Sequence, residues 1–286
     1  MSTPHLPRHL IQSSVAAALA EDLGTIGDIT TNAVIDESWT AAGVIAARET
    51  GIVAGLAVAQ EAFRQIDPQL TFTSLVTDGS NVEQGTVAAR LDGNARAILT
   101  AERIALNFLG RMSGVATLTK RYVDSIDGTG ATIVDTRKTT PGLRAFEKYA
   151  VRCGGGANHR IGLFDAVLIK DNHIAIAGGV GQAIAAARAN AGHMVKIEVE
   201  VDTLDQLDEA LTHNIDAVLL DNMKPEQLND AVARCGDRVI TEASGGINLD
   251  TVRAIAESGV KLISVGALTH SAPVLDFGLD SDVRKG

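Results

Sequence analysis

The chain has 286 residues, 45% of them hydrophobic, and a formal net charge of −10. Its pI of about 5.1 argues against a nucleic-acid or anionic-membrane surface. The longest apolar-looking stretch, Ala41 to Ala62, is broken by Arg48, Glu49 and Glu61 and cannot span a bilayer. The amino-terminal MSTPHLPRHLIQ has neither a long apolar run nor a small-residue cleavage site, so a cytoplasmic protein is expected. Cys153 and Cys235 match no paired or metal-binding spacing and read as free thiols in a reducing compartment.

Ile11 to Asp22 reads as a helix, Ala41 to Ala47 as a strand, Leu56 to Ile66 as a helix and Leu70 to Val76 as a strand. Asp78-Gly79, Gly85 and Gly93 punctuate a hairpin-like region. A long helix is predicted from about Thr100. Its stripe of Ile104, Phe108, Met112, Val115, Leu118, Tyr122 and Ile126 keeps helical spacing until Gly128 and Gly130 stop it.

Beyond residue 130 short β-branched runs recur, at Thr132–Val134, Ala166–Ile169, Lys196–Val201, Ala217–Leu220, Val239–Ala243 and Leu262–Val265. Helix-like segments lie between them, among them Gly181–Ala191, Leu204–Leu211, Pro225–Ala233 and Leu249–Ser258. This alternation implies parallel strands and right-handed crossovers, as in an α/β barrel. Six strands fall short of the eight of a full barrel, so either the barrel is incomplete or two strands are hidden from this reading.

Such barrels do their chemistry at the carboxyl ends of the strands, and here those ends are polar. The first runs into Asp135-Thr136-Arg137-Lys138 and the second into Lys170-Asp171-Asn172. The third carries Glu198 and Glu200, which share a strand face because side chains alternate with period two. The fourth ends in Asp221-Asn222, the fifth in Glu242 and Ser244, and the sixth in Gly266. Between Arg137 and Lys170 seven lysines or arginines face two acids, and His159 adds a switchable charge.

A +5 window in an acidic chain reads as a pocket for a small polyanion. Arg144, Lys148 and Arg152, four apart on a predicted helix, fit a solvated face; Arg137, Lys138 and Lys170 abut apolar strands and do not. Glu200 and Asp221, on neighbouring strands, suit ribose hydroxyls or a magnesium ion, with an internal salt-bridge network as the plain alternative. Ser244-Gly245-Gly246-Ile247 and Val265-Gly266-Ala267 close the last two strands, where barrels frequently bind phosphate on bare backbone amides.

Other signals fail. Gly154-Gly155-Gly156 and Gly179-Val180-Gly181 lack the third glycine of a dinucleotide loop, which would fall on His159 and Ile184. No phosphate-binding Walker loop, nucleophile elbow or zinc-protease motif occurs. His5 and His9 flank Pro7 and read as an irregular terminus rather than a metal site.

Seven segments together resemble the quinolinate phosphoribosyltransferase family: EDLGTIGDITT (21–31), LTAERIALNFLGRMSGVAT (99–117), DTRKTTPGLRAFEKYAVRCGGGANHRIGLFDAVLIKDNHI (135–174), EVEV (198–201), LLDN (219–222), SGGI (244–247) and SVGALTHS (264–271). They span nearly the whole chain in order, and the central one is highly specific. Thr140 departs from the family's usual leucine and Met223 from a frequent aromatic; neither is a charged site position.

The resemblance implies an amino-terminal α/β sandwich domain over residues 1–115, with the tail 270–286 packing back on it. An open α/β barrel of about six strands would occupy 116–269. It implies a homodimer with shared sites, or a higher homo-oligomer, with no nucleic-acid or membrane partner. The substrates would be quinolinate and phosphoribosyl pyrophosphate, and the products nicotinate mononucleotide, pyrophosphate and carbon dioxide, with Mg2+ as the only cofactor.

Arg137, His159, Arg160 and Lys170, with Arg103 from the partner, would hold the dicarboxylate, while Lys138 and Lys170 face the pyrophosphate. Glu200 and Asp221 would orient the ribose and its magnesium; Ser244, Gly245, Gly246, Gly266 and Ala267 would hold the phosphoribosyl phosphate. Three other readings compete: a same-fold phosphoribosyltransferase with a different acceptor, a phosphoribosyl-binding regulator without turnover, and a lyase using a Schiff base on Lys170. The intact DTRKT and GGGANHR segments favour quinolinate over another acceptor.

Overall fold

A computed structural model describes residues 5–284, the side chains of 282–284 excepted. Its helices are α1 (Arg8–Leu23), α2 (Ile29–Val34), α3 (Leu56–Ile66), α4 (Ala95–Ser125), α5 (Arg144–Cys153), α6 (Asp171–Ala177), α7 (Val180–Asn190), α8 (Leu204–Leu211), α9 (Pro225–Cys235), α10 (Val252–Glu257) and α11 (Ala267–His270). The first strands are β1 (Thr40–Ala47), β2 (Gly51–Ile52), β3 (Thr71–Ser74), β4 (Asn81–Val82) and β5 (Val87–Asn94). The rest are β6 (Thr132–Val134), β7 (Val167–Ile169), β8 (Ile197–Val201), β9 (Ala217–Asp221), β10 (Ile240–Ser244), β11 (Leu262–Ser264) and β12 (Phe277–Arg284). No helix among the described residues is long and apolar enough to cross a membrane.

The chain forms two compact units. One holds Met1–Leu118, Ala145–Gly155 and Ala272–Gly286, the other Thr119–Arg144 and Gly156–Ser271. In the first, an antiparallel sheet of order β12-β1-β5-β3 is joined by helices whose apolar residues turn inward, such as Val58, Ala59, Ala62 and Phe63 of α3. α1 begins at Arg8, with Pro7 pre-set for a helix start, so His9 sits on a helix and not in an irregular terminus.

α4 begins five residues earlier than predicted, because Asn94 Oδ1 accepts the Ala97 N–H at 3.1 Å and caps it. The predicted strand at Leu70–Val76 shrinks to Thr71–Ser74, an exposed edge. β12, FGLDSDVR, lies outside the predicted strands although Phe277, Leu279 and Val283 alternate at period two; it pairs with β1 along that strand's whole length.

α5 corrects the expectation of a solvated face. Lys148 and Glu147 are buried, neither Arg144 nor Arg152 is fully exposed, and Glu147 is paired with Arg111 at 2.7 Å. Spacing of four identifies one face of a helix but not the direction in which it points.

The second unit is a six-stranded parallel sheet of order β6-β11-β10-β9-β8-β7. The missing strands of a full barrel are thus absent by construction: β6 and β7 are its two edges, and the barrel stays open. Helices α7 to α10 follow their strands in the expected alternation.

Two glycines inside α4 show how the first unit receives the chain's tail. Leu275 donates its N–H to the Gly110 carbonyl at 3.1 Å, and a Cβ on Gly114 would lie 1.8 Å from the Pro273 carbonyl oxygen. Gly114→Ala is therefore expected to destabilise the protein by about 1–3 kcal/mol through overpacking against backbone. Thermal or urea unfolding would measure it, and an unchanged midpoint would show that the tail yields freely.

Candidate active site

The carboxyl ends of the parallel strands open on a cavity of about 600 Å³ within the second unit. After β6 come Arg137 and Lys138, after β7 Lys170, from β8 Glu200 and from β9 Asp221. β10 and the loop after it supply Glu242, Ser244, Gly245 and Gly246; Gly266 and Ala267 follow β11. His159 and Arg160 complete the predicted set. Arg103 lies elsewhere, exposed on α4 in the first unit. Two titratable lining residues have no role from sequence: His270, inside the SVGALTHS segment, and Glu242, which reads only as a strand end.

His159 and Arg160 lie on no regular element, and Asp135 holds them. Its fully buried carboxylate accepts from Asn158 Nδ2 at 2.5 Å and from the His159 N–H at 2.9 Å. Alongside, Val134 and Ala157 form a parallel bridge, so this segment docks on the open edge of β6. The His159 ring is fixed at both nitrogens. Nδ1 accepts the Arg160 N–H at 2.7 Å, which leaves the proton on Nε2, 2.9 Å from Glu198 Oε2 and 3.6 Å from Glu242 Oε2.

Arg137 and Arg160 are neighbours of like charge. Burial, then the Arg137 guanidinium, presses the Arg160 pKa below the usual arginine value, with Glu198 and Asp165 opposing. Arg137 Nε is buried without a hydrogen-bond partner. Two guanidiniums with an unmet buried N–H on the wall of a cavity form a receptor for an anion, and their planar forks suit carboxylates.

The remaining charges alternate around the mouth. Lys170 is paired with Glu200, so the plain alternative of an internal salt bridge describes those two. Asp221 accepts from Asn222 Nδ2 at 2.6 Å. The Lys138 carbonyl accepts from Thr269 Oγ1 at 2.7 Å, tying the loop after β6 to α11. Gly266 lies against both Lys138 and His270: a Cβ there would come within 3.0 Å of Lys138 Cδ. Gly245 and Gly246 have left-handed φ of 96° and 62°, a turn that glycine accepts without steric cost and that leaves backbone amides bare.

His159, Glu198 and Glu242 bring three potential ligand atoms within 4.8 Å of one another. Nε2 of His159 carries the proton, however, and offers no lone pair to a metal. Glu200 and Asp221 provide hard carboxylate oxygens beside the lysines, the donor chemistry that a magnesium ion shared with substrate phosphates uses.

Fold and cavity together define an enzyme of the open α/β-barrel class whose site is built for a small, multiply charged anion. Comparison with known proteins gives the family. A model of the quinolinate phosphoribosyl transferase N-terminal domain matches residues 28–113, and one of the C-terminal domain matches 115–280. A probable nicotinate-nucleotide pyrophosphorylase (carboxylating) of Bacillus subtilis (strain 168) is 45% identical over 260 residues, 91% of this chain and 89% of the relative. The chloroplastic nicotinate-nucleotide pyrophosphorylase (carboxylating) of Arabidopsis thaliana is 42% identical, covering 98% of this chain and 85% of its own. The crystal structure of NadC from Streptococcus pyogenes, 41% identical, superposes with a TM-score of 0.95 over 99% of this chain and 100% of that one. The chain belongs to the quinolinate phosphoribosyltransferase family.

Glu242 is the site's most strongly shifted carboxyl. Burial, then the Glu198 charge, raises its pKa to about 7. A carboxyl raised above its unfolded value takes up a proton on folding. The cost of ionising it is therefore absent below the usual carboxylate range and complete above about 7. Stability should fall between about pH 5 and about pH 8, and Glu242→Gln should flatten that fall. Urea unfolding of both proteins across this range would test it; identical slopes would assign the loss to other groups.

Proposed function

We propose that this enzyme transfers the phosphoribosyl group of phosphoribosyl pyrophosphate to the ring nitrogen of quinolinate. The products are nicotinate mononucleotide for NAD biosynthesis, pyrophosphate and carbon dioxide. The observation that carries this reading is the pair Arg137 and Arg160, with an unmet buried N–H, in one cavity with two lysines, two carboxylates and two glycine loops.

Arg137 and Arg160 bind the adjacent carboxylates of quinolinate. His159, whose ring nitrogens are engaged by Glu198 and the Arg160 backbone, holds Arg160 in place and contributes its ring surface. Glu200 and Asp221 orient the ribose hydroxyls, and the Ser244–Gly246 and Gly266–Ala267 loops receive the 5′-phosphate. Lys138 and Lys170 face the pyrophosphate, and binding of that anion draws Lys170 from Glu200. Glu200 and Asp221 would hold magnesium together with the substrate, and the ion would supply neutralisation of phosphate charge.

The pyridine lone pair needs no general base: it forms the N–C1 bond as the bond from C1 to pyrophosphate breaks. Catalysis is positioning and charge stabilisation around a cationic sugar-like transition state. The alkylated ring nitrogen then accepts the electron pair of the breaking carbon–carboxylate bond. Carbon dioxide leaves and the ring carbon takes up a proton. The Schiff-base alternative loses support, because Lys170 is ion-paired with Glu200 rather than held in an apolar setting.

The working form in this reading is a cytoplasmic homodimer, with Arg103 entering the partner's site. Exposed Leu163, Phe164 and Ile176 support a covering partner: they flank Arg160 and Lys170 in sequence, and α6 buries none of its residues.

Purified protein with quinolinate, phosphoribosyl pyrophosphate and magnesium should release carbon dioxide and pyrophosphate in equal amounts. Nicotinate lacks the second carboxylate and leaves an arginine buried and unpaired, so it should be turned over orders of magnitude more slowly. Comparable rates would remove the dicarboxylate reading. Arg160→Ala should weaken quinolinate roughly thirtyfold or more and leave phosphoribosyl pyrophosphate binding nearly unchanged. For the dimer, inactive Arg103→Ala and inactive Lys138→Ala proteins should regain activity when mixed and allowed to exchange subunits. No recovery despite exchange would return Arg103 to its own subunit.

A further inference from the structure

Asn222 follows Asp221 at the end of β9, and it is the one non-glycine among the described residues with a left-handed backbone, φ 54°. Asparagine tolerates that conformation better than most residues, but a side chain is rarely placed there without a reason. Three contacts supply one. The parallel pairing of β9 with β10 ends at Asp221 opposite Ser244, and the Asn222 N–H extends it by one bond, to the Ser244 carbonyl at 2.9 Å. The turned-back side chain donates from Nδ2 to Asp221 Oδ2 at 2.6 Å. Gly245 packs so tightly on the same amide that a Cβ there would lie 2.1 Å from Asn222 Oδ1.

We propose that Asn222 is a positioning residue, a clasp that fixes the Asp221 carboxylate relative to the Ser244–Gly246 loop. This rests on the function proposed above, in which Asp221 receives the ribose hydroxyls and the loop receives the 5′-phosphate. A ribose 5-phosphate has a limited span between those groups, whereas its two receptors sit on separate strands: Asp221 and Ser244 are the last paired residues of β9 and β10, and Gly245 and Gly246 lie beyond the ladder. Asn222 carries the register past the end of the sheet. It also gives Gly245 a second reason to be glycine besides its φ of 96°. The arginines assigned to quinolinate follow other segments, so a fault in the clasp is selective for one substrate.

The test is equilibrium titration and steady-state kinetics of Asn222→Ala, Asn222→Gly and Asn222→Asp. Asn222→Gly keeps the left-handed turn free of strain and removes only the amide. It should still weaken phosphoribosyl pyrophosphate roughly tenfold or more while quinolinate affinity stays within about twofold. Asn222→Ala should do the same with added loss of stability. Asn222→Asp replaces the hydrogen bond donated to Asp221 by repulsion between two carboxylates and should weaken phosphoribosyl pyrophosphate at least as much as Asn222→Gly. Gly245→Ala should cost less phosphoribosyl pyrophosphate affinity in the Asn222→Gly background than in the parent, because the side-chain atoms it strikes most closely, Oδ1 and Cγ, are gone and only the backbone nitrogen at 2.9 Å remains. Parental affinities in Asn222→Gly, equal losses for both substrates, or additive effects of the two substitutions would each overturn the clasp. An unmodified protein that binds phosphoribosyl pyrophosphate but turns nothing over would count against the proposed reaction alone, since the titrations read the clasp directly.

Discussion

A carboxylate that never meets water, Asp135, ends β6 and accepts hydrogen bonds from Asn158 Nδ2 and the His159 N–H. An open barrel has two strand edges, and an edge is a row of unmet backbone groups. Here the segment around Ala157 docks on the β6 edge, and Asp135 locks it there. His159 and Arg160 emerge from that docking, so the anion-binding wall of the cavity depends on the device that covers the exposed strand. A buried carboxylate is tolerable only when its lone pairs are engaged, which makes the loop's conformation and the burial of Asp135 mutually dependent.

The rest of the site follows from a division of charge. Lys170 already has a carboxylate partner, while Arg137 keeps a buried N–H without one and repels Arg160. The arginine end is thus held in a state that an anion relieves, and the lysine end in a state that an anion must compete to open. Deeper in, the raised pKa of Glu242 lets two glutamates and a histidine share a small space, with the second negative charge suppressed below about pH 7. In the proposed reaction, this arrangement would hold charge strongly at the arginines and reversibly at the lysines, where a leaving group has to depart.

Much of this is legible from sequence because it repeats a simple rhythm. Short apolar runs of three to five residues alternate with helices, and polar residues stop each run where the barrel's chemistry belongs. Elements set by a single local contact are less legible. The start of α4 turns on one Asn94 cap, and β12 is an edge strand whose alternation of Phe277, Leu279 and Val283 is interrupted by Ser281 and made plain by its pairing with β1. α5 shows the limit of periodicity: regular spacing of Arg144, Lys148 and Arg152 is equally consistent with an outward and an inward face, and Lys148 is buried. Glu242 is hardest to see, since its behaviour comes first from burial and then from the charge of Glu198, opposed by His159, both far away along the chain.

The route of the chain through its most site-rich stretch carries a further implication. Arg137 and Lys138 lie in the second unit, residues 145–155 belong to the first, and His159 and Arg160 return to the second. No division of the chain at one point separates the two units: a fragment running from 119 to 271 keeps both cationic segments but carries residues 145–155 of the first unit with it. The first unit, cut free of that stretch, would lack α5, so neither unit is a cassette that can be lifted out whole.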